Sequence, residues 1–132
     1  MEKKIIGAKT LVDIAGVLAV PAKIDTGADT SAVWASEVTE TDHGISFVLF
    51  DEGMPYFTGE RIEALEFKTT AVRSSYGDRQ ERYKVKLPIV MEGEKFETWF
   101  TLANRARNRL PILIGRNTLA GRFLVDVEKE EK

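Results

Sequence analysis

The chain has 132 residues, 43% hydrophobic and 30% charged, with a net charge of −2 and no cysteine. That length suits one domain and leaves no room for two similar lobes, and the composition is that of a globular chain rather than a disordered one. The missing cysteines exclude disulfides, thiolate zinc sites and cysteine nucleophiles together.

In chain order, Lys3 and Lys4 precede an apolar stretch at 14–22, which raises the question of a signal peptide. Asp13 interrupts the approach to that stretch, and cleavage there would remove the strand leading to Asp25, so a mature cytoplasmic chain is expected. Short apolar or alternating segments then recur at 4–14, 16–24, 46–50, 61–72, 83–91, 96–102, 111–114 and 123–127. Most hold β-branched or aromatic residues and are bounded by Gly, Pro, Asp or Asn, which is the pattern of strands. Helices of one or two turns are expected at 31–37 and 117–121. Residues 50–57 read as a loop with apolar anchors, and Glu92-Gly93-Glu94-Lys95 as a hairpin turn. A longer hairpin over about 62–91 has its polar tip at Val72-Arg73-Ser74-Ser75-Tyr76-Gly77-Asp78-Arg79. Its two readings are an ordinary exposed turn and a cover over a site. A charged tail, 128–132, ends the chain. The expected fold is a small, mostly-β domain of short strands, closed or partly closed into a barrel. No apolar stretch approaches the length of a membrane span, so no membrane partner is expected.

Charge is unevenly spread. Residues 68–86 carry six basic side chains against Asp78 and Glu81, and residues 105–116 add four arginines and no acid. Two basic segments on an otherwise acidic chain suit an anionic partner; the alternative is a solvated surface with acids folded beside it.

The chemistry centres on Asp25-Thr26-Gly27, the only such tripeptide in the chain, at the end of an apolar run. Asp25 supplies a carboxylate, Thr26 a hydroxyl able to lock the loop, and Gly27 an amide able to approach closely. One carboxylate cannot perform paired-carboxylate hydrolysis, so a functional motif needs a second copy of the chain. Two such carboxylates facing each other share a proton, because both cannot ionise at close range. One then serves as base toward water while the other donates to the substrate carbonyl. By chance the tripeptide occurs in roughly one chain in fifty of this length. Alone it reads equally as a strand-ending turn. Ninety residues further on, Pro111-Ile112-Leu113-Ile114-Gly115-Arg116-Asn117-Thr118-Leu119 gives a buried-strand pattern ending in Gly and Arg.

Together, Ile24-Asp25-Thr26-Gly27-Ala28-Asp29-Thr30 and Ile112-Leu113-Ile114-Gly115-Arg116-Asn117-Thr118-Leu119, separated by a hairpin of flap length, resemble the retropepsin-like aspartic proteases. The resemblance implies a closed acid-protease barrel with a flap and one short C-terminal helix, and a homodimer contributing one Asp25 per subunit. It implies that Asp25, Thr26 and Gly27 carry catalysis, with a Thr26 hydroxyl network across the interface. It also implies that Ala28, Asp29, Arg73, Ser74, Ser75, Tyr76 and Gly77 bind a peptide or protein substrate. Ile114, Gly115 and Arg116 support the loop, with an Asp29–Arg116 pair as a brace. Within that superfamily the chain is most similar to a small bacterial and archaeal group labelled ATP-dependent zinc protease, through Val72-Arg73-Ser74-Ser75 with Gly77, the run 104–109, and Phe123-Leu124-Val125-Asp126-Val127. The label finds no support in the residues. There is no His-Glu-x-x-His, His43 is the sole histidine, and no phosphate-cradling loop is present, so neither zinc nor ATP nor another cofactor is expected. Relatives in that group are associated with enzymes that add glutamates to proteins and are implicated in trimming them. Arg73 and Arg79 at the flap tip suit an acidic or glutamate-rich substrate.

Two rival readings remain. A non-catalytic dimeric peptide-binding module could use the same fold, although a binder has no need of facing carboxylates. RNA binding through Arg105–Arg109 and the basic hairpin has little aromatic interleaving behind it, only Tyr76 and Tyr83, and an acidic remainder against it. No nucleic-acid partner is expected. Trp34 and Trp99 read as core or interface aromatics.

Overall fold

The computed structural model describes residues 2–73, 79–106 and 108–129. The strands are β1 (Lys4–Ile6), β2 (Lys9–Ile14), β3 (Val17–Ile24), β4 (Ser31–Thr41), β5 (Gly44–Leu49), β6 (Arg61–Ala64), β7 (Phe67–Arg73), β8 (Arg79–Met91), β9 (Glu94–Ala103), β10 (Ile112–Ile114) and β11 (Phe123–Val125). The single helix among the described residues is α1 (Arg116–Leu119).

Hydrogen bonding runs β10-β3-β2-β8-β9-β4, and a β10–β4 pairing returns to the start, so six strands close on themselves. Closure leaves those six without a free edge, which answers the mostly-β barrel expected from the sequence. Outside the ring, β5 and β6 extend from β4, β7 pairs with β8, and β1 lies parallel to β11. Alternation is the cause. In β2, Thr10, Val12 and Ile14 point inward while Lys9 and Leu11 point out, the period of two that a one-sided strand requires. Inside the ring sit Val12, Ile14, Val20, Val33, Val85, Phe100, Ile112 and Ile114, each wholly buried. Burying side chains of this size is worth about 1.5–3 kcal/mol apiece.

Turn chemistry fixes the registers. Ala15-Gly16 links Ile14 to Val17, and Glu92-Gly93 links Met91 to Glu94. Both residues of each pair have positive φ, at 48° and 86° and at 52° and 79°. These are two-residue turns whose twist matches that of the flanking strands, with glycine at the second position. The expected turn at 92–95 is therefore present, two residues tighter. Pro88 lies inside β8, where the partner changes from β7 (through Val85) to β2 (from Ile89), so its missing N–H falls between the two ladders.

Three expectations change. Residues 31–37 are not helical: Ser31, Val33 and Ala35 are buried and alternate with half-buried Ala32, Trp34 and Ser36 in β4. Pairing with β9 on one side and β10 on the other overrides the weak helical preference of Ala and Ser. The 61–72 arm is two strands, because β6 pairs with β5 and only β7 joins the β8 hairpin. The first segment likewise divides at Gly7-Ala8 into β1 and β2. The expected helix at 117–121 is α1, starting one residue earlier and ending two earlier. The 50–57 loop has its anchors: Phe50 is fully buried and Tyr56 meets it edge-on, 4.8 Å between centroids. Burial raises the Tyr56 phenol above its ordinary value. Trp34 packs against the core, and Trp99 is half-buried beneath the Lys68 ammonium, 4.5 Å from its ring centre. No helix among the described residues is long and apolar enough to cross a membrane.

Candidate active site

The loop 25–30 leaves β3 and returns into β4, and β10 lies between those two strands, parallel to β3 and antiparallel to β4. That placement lets one short strand hold both ends of the loop. The Asp25 amide donates to the Ile114 carbonyl at 2.9 Å, continuing the β3–β10 ladder by one step. The Arg116 amide donates to the Ala28 carbonyl at 2.8 Å, and the Asn117 amide to the Asp29 carbonyl at 3.1 Å. Above these backbone bonds the Arg116 guanidinium meets the Asp29 carboxylate, the brace expected from the paired motifs. Both side chains are largely exposed, so the pair adds little to the stability of the fold.

Gly115 is fully enclosed by the loop it supports. Its backbone is extended, φ −99°, a conformation open to any residue. A side chain is barred instead by space: a Cβ would press into the Thr30 carbonyl and lie 2.9 Å from the Ala28 oxygen. Behind it lies a buried hydroxyl cluster that sequence reasoning missed. The Ser31 hydroxyl receives the Gly115 amide at 3.0 Å, donates to the Asn117 side-chain oxygen at 2.8 Å, and lies 2.7 Å from the Thr118 hydroxyl. Thr118 in turn lies 2.8 Å from Thr98. Thr118 also reaches the Asn117 side-chain oxygen at 3.4 Å, and in the Ser31–Thr118 and Thr98–Thr118 pairs either hydroxyl can donate. Every member is thereby satisfied, as burial demands.

Within the loop, the Gly27 amide donates to Asp25 Oδ1 at 2.9 Å, folding the carboxylate back over its own turn. The Asp25 side chain remains 30% exposed, reachable by solvent yet supported from beneath. Lys23, two residues earlier on the same face of β3, places its ammonium 3.9 Å from Asp25 Oδ2. Thr26 and Gly27 are exposed and Ala28 is half-buried. The sequence-expected residues Asp25, Thr26, Gly27, Ala28, Asp29, Ile114, Gly115 and Arg116 are thus brought together around one loop. Arg73 closes β7 opposite Arg79 in the ladder. Ser74, Ser75, Tyr76 and Gly77 lie outside the described residues.

A cavity of about 580 Å³ opens beside the loop, lined by Lys9, Lys23, Arg105, Asn108, Arg109 and Leu113 among others. Arg105 is only 7% exposed and donates to the Leu110 carbonyl at 3.0 Å. Its guanidinium is pushed below the ordinary arginine range by burial and then by Arg82, with Asp25 pulling the other way. Arg105 is therefore internal, while Asn108 and Arg109 are exposed. The spacing of Lys23 and Asp25 was the one sequence signal for this corner, since i and i+2 share a strand face. His43 lies exposed in the β4–β5 turn, and among the described residues no cluster of His, Cys, Asp or Glu could hold a metal ion.

Comparison with known proteins places these features in context. A family model described as RimB-like, retropepsin-like aspartic endopeptidase RimB, matches residues 5–132. A probable alpha-L-glutamate ligase of Shewanella pealeana is 30% identical over 115 residues, covering 84% of this chain and 25% of the relative. Another from Desulfotalea psychrophila is 24% identical over 130 residues, 94% of this chain and 28% of the relative. The chain thus spans about a quarter of the length of these curated relatives. A crystal structure of a Legionella pneumophila protein of unknown function superposes with a TM-score of 0.78 at 21% identity, covering 99% of this chain and 98% of that one, a likeness of fold.

Proposed function

The chain belongs to the RimB-like family of retropepsin-like aspartic endopeptidases, and from that premise we propose that it is an aspartic-type peptidase acting as a homodimer, with one Asp25 from each subunit. The observation that carries this reading is the Asp25 loop itself. It presents a part-exposed carboxylate whose backbone is tied to β10 and whose Oδ1 is already engaged by the Gly27 amide. A carboxylate held so firmly suits a role in which two of them must meet at hydrogen-bond distance. In the dimer the pair shares one proton. The ionised member takes a proton from water, whose oxygen attacks the peptide carbonyl carbon, while the protonated member donates to the carbonyl oxygen. Collapse of the tetrahedral intermediate breaks the C–N bond as the carboxyl that took the proton from water gives it to the leaving nitrogen and a hydroxyl proton of the intermediate returns to the other carboxylate. Thr26, exposed beside Asp25, would bond across the two-fold, and the β7–β8 hairpin would cover the bound peptide.

An acidic or glutamate-rich peptide is the substrate class we favour. Proteins named as probable alpha-L-glutamate ligases contain a region similar to this chain, and the β7–β8 arms carry Lys68, Arg82, Lys84 and Lys86. The alternative is a dimeric peptide-binding module that does not cut. Asp25→Asn separates the two readings in an assay of glutamate-containing peptides. The mechanism requires hydrolysis to fall to background while the melting temperature and oligomeric state are kept. A substituted protein that cuts as fast as the original refutes it.

A further inference from the structure

The cavity beside the Asp25 loop is electrostatically incomplete. Arg105 is buried, and among the described residues no carboxylate lies within ion-pair distance of it; its one hydrogen-bond partner is the neutral Leu110 carbonyl. A buried cation without a counter-ion is costly. Lys9 and Lys23 stand directly opposite each other in the β2–β3 ladder and both line the same cavity. Like charges in facing positions destabilise a sheet. Arg109 adds a further cation to the wall, and no acidic side chain among the described residues lines it. The buried Arg105 and the facing lysines converge on one space, and an anion entering it would relieve both.

We propose that this cavity is a carboxylate subsite, in which Arg105 receives an acidic side chain of the peptide while Lys9, Lys23 and Arg109 surround it. The planar guanidinium offers a fork that a carboxylate fills with two parallel hydrogen bonds. Lys23 joins the subsite to the reacting centre, because its ammonium also lies 3.9 Å from Asp25. The acidic residue therefore sits close to the bond being cut. This assigns recognition of the acid to an arginine beneath the loop, where sequence reasoning had looked to Arg73 and Arg79 on the hairpin above. Burial and then repulsion from Arg82 lower the Arg105 value against the pull of Asp25, in keeping with a site that takes up an anion. The place of the subsite in catalysis rests on the peptidase reading, but its affinity for carboxylates does not.

Binding is therefore measured on the Asp25→Asn protein, by calorimetry, with a soluble peptide carrying four consecutive glutamates and the same peptide with glutamines. The glutamate peptide is expected to bind at least tenfold more tightly. Arg105→Gln should reduce its affinity roughly tenfold to a hundredfold, the range for losing a charge-assisted hydrogen-bond pair, and leave the glutamine peptide within about threefold. Because a buried substitution can unfold the protein, the exposed pair Lys9→Ala and Arg109→Ala is tested alongside, with an expected loss of about fivefold or more. Equal binding of the two peptides overturns the proposal. So does a preference for glutamate that survives both sets of substitutions, or that disappears only with Arg73→Ala and Arg79→Ala. If the unsubstituted protein cuts no peptide, the peptidase reading fails while the preference in binding still decides the subsite.

Discussion

Replacing Gly115 with alanine tests whether the Asp25 loop is held by close backbone packing. The added methyl would meet the Thr30 carbonyl at a separation no real side chain tolerates, with the Thr30 carbon at 2.7 Å and the Ala28 oxygen at 2.9 Å. These are backbone atoms, so no side chain can swing aside. The loop has to lift from β10 instead. Lifting strains or breaks three hydrogen bonds, from Gly115 to Ser31, Arg116 to Ala28 and Asn117 to Asp29. At about 1 kcal/mol per bond, plus roughly 1–3 kcal/mol of overpacking, the loss is about 4–6 kcal/mol. That is a large share of the roughly 5–15 kcal/mol available to a domain. For a chain of this length it corresponds to a fall of about 12–20 °C in melting temperature. Urea unfolding at constant m-value measures it. Gly44→Ala is the comparison: there a Cβ would run into the Ala64 carbonyl at φ 153°, far along the chain from Asp25. Both variants should be strongly destabilised, but only Gly115→Ala should lose activity per folded molecule at low temperature. A Gly115→Ala protein within about 1 kcal/mol of the original would show that the loop yields to a methyl, and the argument from close packing would be wrong.

Three further substitutions probe the same support. Arg116→Ala removes the pair with Asp29; both side chains are exposed, so stability should change by under about 1 kcal/mol, while kcat/KM falls at least tenfold if the pair aligns the loop, and equal kinetics would reduce it to a surface contact. Thr118→Val and Ser31→Ala each strip one hydroxyl from the buried cluster and should each cost about 1–3 kcal/mol in denaturant unfolding. Their double variant should cost less than the sum, and strict additivity would mean the two hydroxyls are not coupled.

Much of the fold was readable because its signals are local. Ala15-Gly16 and Glu92-Gly93 announce tight turns by glycine position, and β2 announces its buried face by alternation. Residues 31–37 misled because Ala, Ser and Glu carry little strand preference of their own. What makes them a strand is β9 on one side and β10 on the other, partners 69 and 81 residues away in the registers Ser31↔Phe100 and Ala32↔Leu113. The signal was nevertheless present: Ser31, Val33 and Ala35 form a small-residue stripe of period two. Weighing that period against propensity would have favoured the strand.

At the site, the division follows what each residue does. Asp25, Asp29, Gly115 and Arg116 were legible because two short motifs fix them through backbone contacts that tolerate few alternatives. Ser31 and Thr118 were not, since a serine or threonine that satisfies buried donors looks in sequence like any other small polar residue. Arg105 was read as one charge of an exposed run, because charge is visible in a sequence and burial of charge is not. Its burial is decided by the return of the chain from β9 to β10, which carries Arg105 under the loop and bonds it to Leu110. A solvated arginine gains nothing from an incoming anion that water does not already supply. One that is largely buried, with a neutral carbonyl as its hydrogen-bond partner, gains more, and that difference makes Arg105 the cavity residue whose removal should most change which peptides are held.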